Sequence, residues 1–135
     1  MNYKLIPSQK IYVSKSEIHG LGVFALEEIQ EGEIFEICPL VDMKIPFGES
    51  SPCLLDYRFN WPQGEVGWNK QVICLGFGSL YNHSENPNAF WKSNLENFTF
   101  EFQSTRKIIP NEEILVYYGG VNYWSDGRIN VNNVQ

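Results

Sequence analysis

The sequence predicts a mainly β domain built from several short strands with tight turns between them. Three observations point there. Phe98, Phe100 and Phe102 alternate with Thr99, Glu101 and Gln103, the period-two pattern of a strand with one apolar face. Glycine, proline and asparagine recur between short apolar runs, as at Glu31-Gly32, Pro110-Asn111 and Gly119-Gly120. No long stretch carries the apolar spacing of an amphipathic helix, so the few helices expected are short.

Taken in order, Met1 to Gln9 is polar, contains Pro7 and reads as an arm or edge segment. Lys10-Ile11-Tyr12-Val13 alternates as a first strand. Gly20 and Gly22, followed by Val23-Phe24-Ala25, read as a tight turn entering a second strand. Glycine there also lets another backbone or a ligand come close. Glu33 to Ile37 is a third strand, which Pro39 is expected to end. From about 40 to 71 the pattern breaks into Pro46, Gly48, Pro52, Pro62, Gly64 and Gly67, an irregular insertion of the kind that forms recognition surfaces. Within it, Cys53 to Tyr57 reads as a short helix or strand, and Tyr57, Phe59 and Trp61 either recognise a partner or hold the insertion on the core. Val72 to Leu75 is a buried-type strand, Leu95 to Gln103 contains the cleanest one, and Ile114 to Tyr118 is the last. Asn111 stands where a left-handed backbone is expected. Residues 125–135 form a polar, Asn-rich tail.

A chain of 135 residues fits one domain with a real core. Aromatic residues make up 15%, which suits a compact β core or an aromatic-lined pocket. The net charge of −6 argues against a nucleic-acid partner and favours a basic peptide or cationic ligand. Cys38, Cys53 and Cys74 are widely spaced and, with only two histidines, show no metal-ligand pattern, so free thiols and no metal are expected. No signal-peptide pattern and no run of membrane-spanning length is present, which predicts no membrane partner and an intracellular, cytoplasmic protein.

The stretch Leu80-Tyr81-Asn82-His83-Ser84-Glu85-Asn86-Pro87-Asn88 stands apart. A polar loop here lies between the apolar run Val72-Ile73-Cys74-Leu75 and the aromatic pair Phe90-Trp91. Asn82 and His83 are therefore expected to be partly buried. A buried amide or imidazole left unpaired costs about 1–3 kcal/mol, so the fold or a ligand must supply partners.

Three segments together resemble the SET domain, the fold of most protein-lysine methyltransferases. They are Ile18-His19-Gly20-Leu21-Gly22-Val23-Phe24-Ala25 with Ile29 to Ile34, then Asn82-His83-Ser84-x-x-Pro87-Asn88, then Arg106-x-Ile108-x-Pro110-x-Glu112-Glu113-Ile114-x-x-x-Tyr118-Gly119. The resemblance runs from about residue 11 to 124 and is to compact members without flanking zinc modules. It implies a fold of several short sheets in which the last strand passes under the 82–83 loop as a pseudoknot. It implies S-adenosylmethionine as methyl donor, with S-adenosylhomocysteine as product. By position, His19, Gly20, Leu21 and Gly22 would line the methionine part of that cofactor. Tyr81, Asn82 and His83 would hold its amino group and adenine, with Tyr123 and Trp124 covering the adenine. Tyr118 would be the active-site tyrosine, and Trp91 and Tyr117 would face the substrate channel.

The chain departs from the family pattern in places. Glu85 replaces a frequent cysteine, Asn111 the usual glycine before Glu112-Glu113, and Tyr117 a frequent aspartate. Gly120 stands where many members carry a second tyrosine. No cysteine follows the last strand, so a zinc-bound C-terminal module is not expected.

The implied chemistry needs a neutral amine, whereas a free lysine with a pKa of about 10.4 is protonated at neutral pH. A narrow aromatic channel and a nearby sulfonium both disfavour the charged form. The expected substrate is the ε-amine of a lysine in a basic segment of a protein, such as a histone tail, a ribosomal protein or another cytoplasmic protein. A nuclear location would follow if that target is a histone. A short tail leaves room for a homodimer to complete the channel. Two other readings use the same residues: an inactive SET-like module that binds a peptide or protein, and a structural β-module whose motifs only pack.

Overall fold

The computed structural model describes residues 4–44, 57–62 and 70–119. Nine strands follow in order: β1 (Ile11–Lys15), β2 (Leu21–Ala25), β3 (Ile34–Asp42), β4 (Arg58–Trp61), β5 (Lys70–Cys74), β6 (Asn82–His83), β7 (Ala89–Asn94), β8 (Thr99–Ser104) and β9 (Glu113–Val116). The mainly β expectation holds. One sheet has the order β1-β2-β9-β6 and the other β4-β5-β3-β8-β7.

The first sheet positions the site. β1 and β2 form the antiparallel hairpin set by the glycine turn, with Val13 opposite Val23. β9 enters beside β2, pairing Val23 with Ile114. On its other side β9 runs parallel to β6, with Asn82 opposite Leu115 and His83 opposite Val116. The chain's last described strand is thus threaded between an early hairpin and the 82–88 loop, the pseudoknot arrangement that the resemblance implied.

The loop is tied to β9 by more than the ladder. Ser84 N–H donates to the Val116 carbonyl at 2.9 Å and Asn88 N–H to the Leu115 carbonyl at 3.1 Å. The buried Asn88 side chain accepts from Leu115 N–H at 2.8 Å and donates to the Glu113 carbonyl at 2.9 Å. One asparagine therefore satisfies both polarities of the strand edge.

The second sheet carries the aromatic core. Phe100 and Phe102 on β8 are fully buried, as their alternation predicts. Phe59 and Trp61 of β4 pack on Phe100 at 5.3 and 5.8 Å between ring centres, and Trp61 also meets Phe98. Those two aromatics of the expected insertion hold it on the core. Tyr57 is exposed.

The structure corrects several strand limits. Pro39 does not end β3, which continues to Asp42. Pro39 stands opposite Thr99 of β8, and Leu40 opposite Cys74 of β5, so the proline sits where β3 changes partner. A missing N–H is tolerated there. The last strand stops at Val116, short of Tyr118. β8, expected within 95–103 with Phe98 in its alternation, runs from Thr99 to Ser104, so Phe98 falls just before it. Residues 95–98 make the turn from β7, closed by Phe98 N–H to the Asn94 carbonyl at 2.9 Å, with Phe98 at φ +57°. β7 itself was missed, because Phe90 and Trp91 read as an aromatic pair and not as part of a strand. The short element expected at 53–57 lies almost wholly outside the described residues. Asn111 is left-handed at φ +70°, as expected. Among the described residues no helix is long and apolar enough to cross a membrane.

Candidate active site

His83 and Asn82 are buried, at 2% and 7% exposure, so their polar atoms must find partners. The Asn82 side-chain NH2 donates to the His19 carbonyl at 3.1 Å, the Leu21 carbonyl at 3.1 Å and Glu113 Oε2 at 2.9 Å. Asn82 thereby pins the glycine turn to the 82–88 loop. Its Oδ1 accepts no hydrogen bond among the described residues.

Glu113 completes the brace. Both its carboxylate oxygens lie 2.9 Å from Ser16 Oγ. Ser16 Oγ in turn accepts from Ile18 N–H at 2.9 Å. The turn leaves His19, Gly20 and Leu21 exposed while Gly22 is buried. Gly20 is at φ +48°. A Cβ on Gly22 would collide with the Glu113 carboxylate and approach Asn82 Nδ2 to 3.1 Å. Only glycine lets these strands meet so closely.

Tyr118 is fixed at both ends. Its N–H donates to His83 Nδ1 at 2.8 Å. Its hydroxyl donates to the Tyr81 carbonyl. The Tyr118 and His83 rings lie 5.2 Å apart. Tyr81 is itself fully buried, stacked on Phe102 at 4.4 Å. Burial, reinforced by the neighbouring Glu36 carboxylate, pushes its phenol well above the ordinary range, so it remains a donor.

A model of the SET domain matches residues 20–119 of the chain. The chain belongs to the SET domain family. A histone-lysine N-methyltransferase of Schizosaccharomyces pombe, described as specific for lysine 37 of histone H3, is 33% identical over 117 residues, covering 84% of this chain and 76% of that one. A solved Plasmodium falciparum structure, described as a candidate histone methyltransferase, is 38% identical with a TM-score of 0.68, covering 82% and 94% of the two chains. The ctPRC2 complex with H3K27me3 and H3K27M contains a chain with a TM-score of 0.62 at 20% identity, covering 83% of this chain and 15% of that one, a likeness of fold alone. With the family and the curated relative together, this SET domain is a protein-lysine methyltransferase.

The SET domain brings together eight of its sequence-predicted site residues: hydrogen bonds join Asn82 to His19 and Leu21, and Tyr118 to Tyr81 and His83, while Gly20 and Gly22 belong to the same turn as His19 and Leu21. Tyr117 is exposed and lies over His83 at 5.2 Å. Trp91 is buried inside the aromatic core, 5.4 Å from Phe59 and 6.1 Å from Phe102, whose ring also stacks on Tyr81. Its indole N–H is buried and has no partner among the described residues. Tyr123, Trp124 and Gly120 lie outside the described residues. Among the described residues no cluster of three metal-ligating side chains occurs.

Sequence reasoning gave no role to Ser16, Glu36, Asn88 or Glu113, all of which hold the site. Asn88 and Glu113 belonged to the matched motifs, and their place in those motifs was the available signal. Ser16 and Glu36 carried none, because each acts on a segment far away in sequence.

Proposed function

We propose that this SET domain transfers a methyl group from S-adenosylmethionine to the ε-amine of a lysine in a basic protein segment, with Tyr118 as the catalytic tyrosine. When bound, that cofactor supplies a sulfonium methyl carbon open to in-line displacement. The observation that carries the reading is the double anchoring of Tyr118, by His83 through its backbone and by the Tyr81 carbonyl through its hydroxyl.

The residues present fit the cofactor. The accessible backbone of Gly20 and Leu21 offers an open edge beside the Asn82 amide. Asn82 Oδ1, without a partner among the described residues, can accept from an ammonium group, while its NH2 stays committed to the turn. His83, Tyr123 and Trp124 would line the adenine, and Trp91 and Tyr117 would border the lysine channel.

Tyr118 contributes by orientation. Its proton points to the Tyr81 carbonyl, which orients the phenol oxygen as an acceptor for a lysine N–H. An aligned amine lone pair supplies several kcal/mol of the barrier reduction, on the order of 7 in favourable cases. Desolvation against the aromatic wall favours the uncharged amine. The acidic balance of the chain, −6, draws a lysine set among other cations, and a histone tail is the leading substrate class.

The test is direct. The full chain is mixed with heavy-methyl S-adenosylmethionine and histones or basic peptides, and products are read by mass spectrometry. Labelled lysine supports the reading. Cofactor binding without transfer to any protein of a whole-cell lysate would favour a binding module, and absence of cofactor binding would overturn the proposal.

A further inference from the structure

Beneath the site lies a buried carboxylate that the mechanism above does not use. Glu36, on the inner face of β3, is only 8% exposed. Its Oε1 accepts from the Tyr81 hydroxyl at 2.7 Å and its Oε2 from the Phe77 N–H at 2.9 Å. Among the described residues no lysine or arginine pairs with it. A carboxylate held inside a fold without a cation is costly, and an apolar side chain would fill the same space more cheaply.

The segment that Glu36 holds is the connection from β5 to the site. Gly76 takes φ +69°, and a Cβ there would come within 2.7 Å of Glu36 Oε2. A Cβ on Gly78 would collide with Cys74 Sγ and approach Cys38 Sγ to 3.2 Å. The turn is therefore pressed against β3 and β5 before it delivers the short 3-10 helix Gly78–Leu80 and then Tyr81. Cys38 and Cys74, far apart in sequence, pack together here: the neighbouring Cys74 and burial push the Cys38 thiol far above its ordinary range.

We propose that Glu36 is a positioning residue for methyl transfer, acting through the Tyr81 ring and the Phe77 amide to set the Tyr81 carbonyl that receives the Tyr118 hydroxyl. This rests on the assignment of Tyr118 as the catalytic tyrosine. Tyr81 is gripped along its whole length: its ring stacks on Phe102 and meets Phe35 edge-on at 6.1 Å, its hydroxyl is held by Glu36, and its carbonyl holds Tyr118. Releasing the far end of that ring lets the carbonyl drift and frees the Tyr118 hydroxyl to turn. The bound substrates themselves are not touched.

The experiment is a double-mutant cycle under single-turnover conditions. Tyr81→Phe keeps the stacked ring and removes only the link to Glu36. It is expected to lower the transfer rate about tenfold with the KM of both substrates within about twofold, since small misplacements of an aligned group cost that much or more. Glu36→Ala should lower it at least as far, and Glu36→Gln, which keeps one acceptor, should lie between. On a Tyr118→Phe background, Tyr81→Phe should cause no further loss. A loss carried over undiminished into that background, or one that appears in KM alone, reduces Glu36 to a packing role and overturns the inference. Wild-type transfer by Tyr118→Phe itself is a different result: it removes the catalytic tyrosine and the inference with it. Should Glu36→Ala fail to fold, the Tyr81→Phe cycle decides.

Discussion

The backbone N–H of Tyr118 donates to Nδ1 of His83 at 2.8 Å, which makes that nitrogen an acceptor and leaves the ring proton on Nε2. Nε2 lies 3.2 Å from Glu85 Oε1. The residue that replaces the family's frequent cysteine thus stands where it holds His83 in the tautomer that Tyr118 requires. A doubly protonated ring would set two donors against each other at Nδ1.

Replacing His83 with alanine removes that acceptor. The Tyr118 N–H is left to find water or stay unpaired, at about 1–3 kcal/mol. The variant should bind S-adenosylmethionine several-fold more weakly by titration calorimetry, and unchanged affinity would take His83 out of the site. Glu85→Gln, which can still accept from Nε2, should bind as the wild type does.

Tyr118→Phe should fold with a melting curve shifted only slightly, since one half-buried hydrogen bond contributes about 1 kcal/mol. Methyl transfer should fall roughly 100-fold or more, because the group that orients the amine is gone. Cofactor affinity, measured separately, should hold. Near-normal turnover would refute the assignment.

Gly22→Ala tests the close approach of the turn to Asn82 and Glu113. The added methyl collides with the Glu113 carboxylate, and the overpacking should cost about 1–3 kcal/mol in urea unfolding. It should also displace the Asn82 amide and weaken cofactor binding. Gly20→Ala meets no atom within 4 Å and has only its φ of +48° against it, so it should cost less.

Asn88→Ala should be the more damaging to stability. It strips the half-buried Leu115 N–H of its acceptor and the Glu113 carbonyl of a donor, about 2–4 kcal/mol together. Loss should show as a lower urea midpoint with an unchanged slope. A midpoint equal to wild type would mean that β9 is held without the clamp.

Glu112 gives a pH signature. Burial raises its carboxyl, but Arg106, the Ile109 N–H and Asn88 outweigh that and hold it below the ordinary 4.5. A depressed folded value means stability that is present above about pH 4.5 and lost as pH falls through that lower value. Screened by solvent, the contribution is under about 1 kcal/mol. Glu112→Gln should therefore unfold at lower urea than wild type at pH 7, and the gap should close toward pH 3. A gap independent of pH would show that the charge is irrelevant.

Local sequence determined a good deal of this protein by itself. The strands around Val13, Val23, Phe100 and Ile114 follow from alternation and turn residues, and the burial of Asn82 and His83 from polar side chains set between apolar runs. The three motifs carried the family. Side-chain period and turn chemistry are local properties, so they survive in a linear reading.

Tertiary structure decided the rest. That Pro39 sits inside a strand, at the changeover from β8 to β5, depends on two partners more than 30 residues away. That Glu36 meets Tyr81, Ser16 meets Glu113 and Cys38 meets Cys74 depends on which strands pair, and no spacing along the chain records it. A carboxylate in an apolar strand reads as a solvated charge until the fold closes over it. The site exists because β9 is threaded between β2 and the 82–88 loop, and pairing Val23 with Ile114 costs the chain the entropy of closing a loop over most of its length. Only the combined burial and hydrogen bonding of the assembled sheets can offset such a cost.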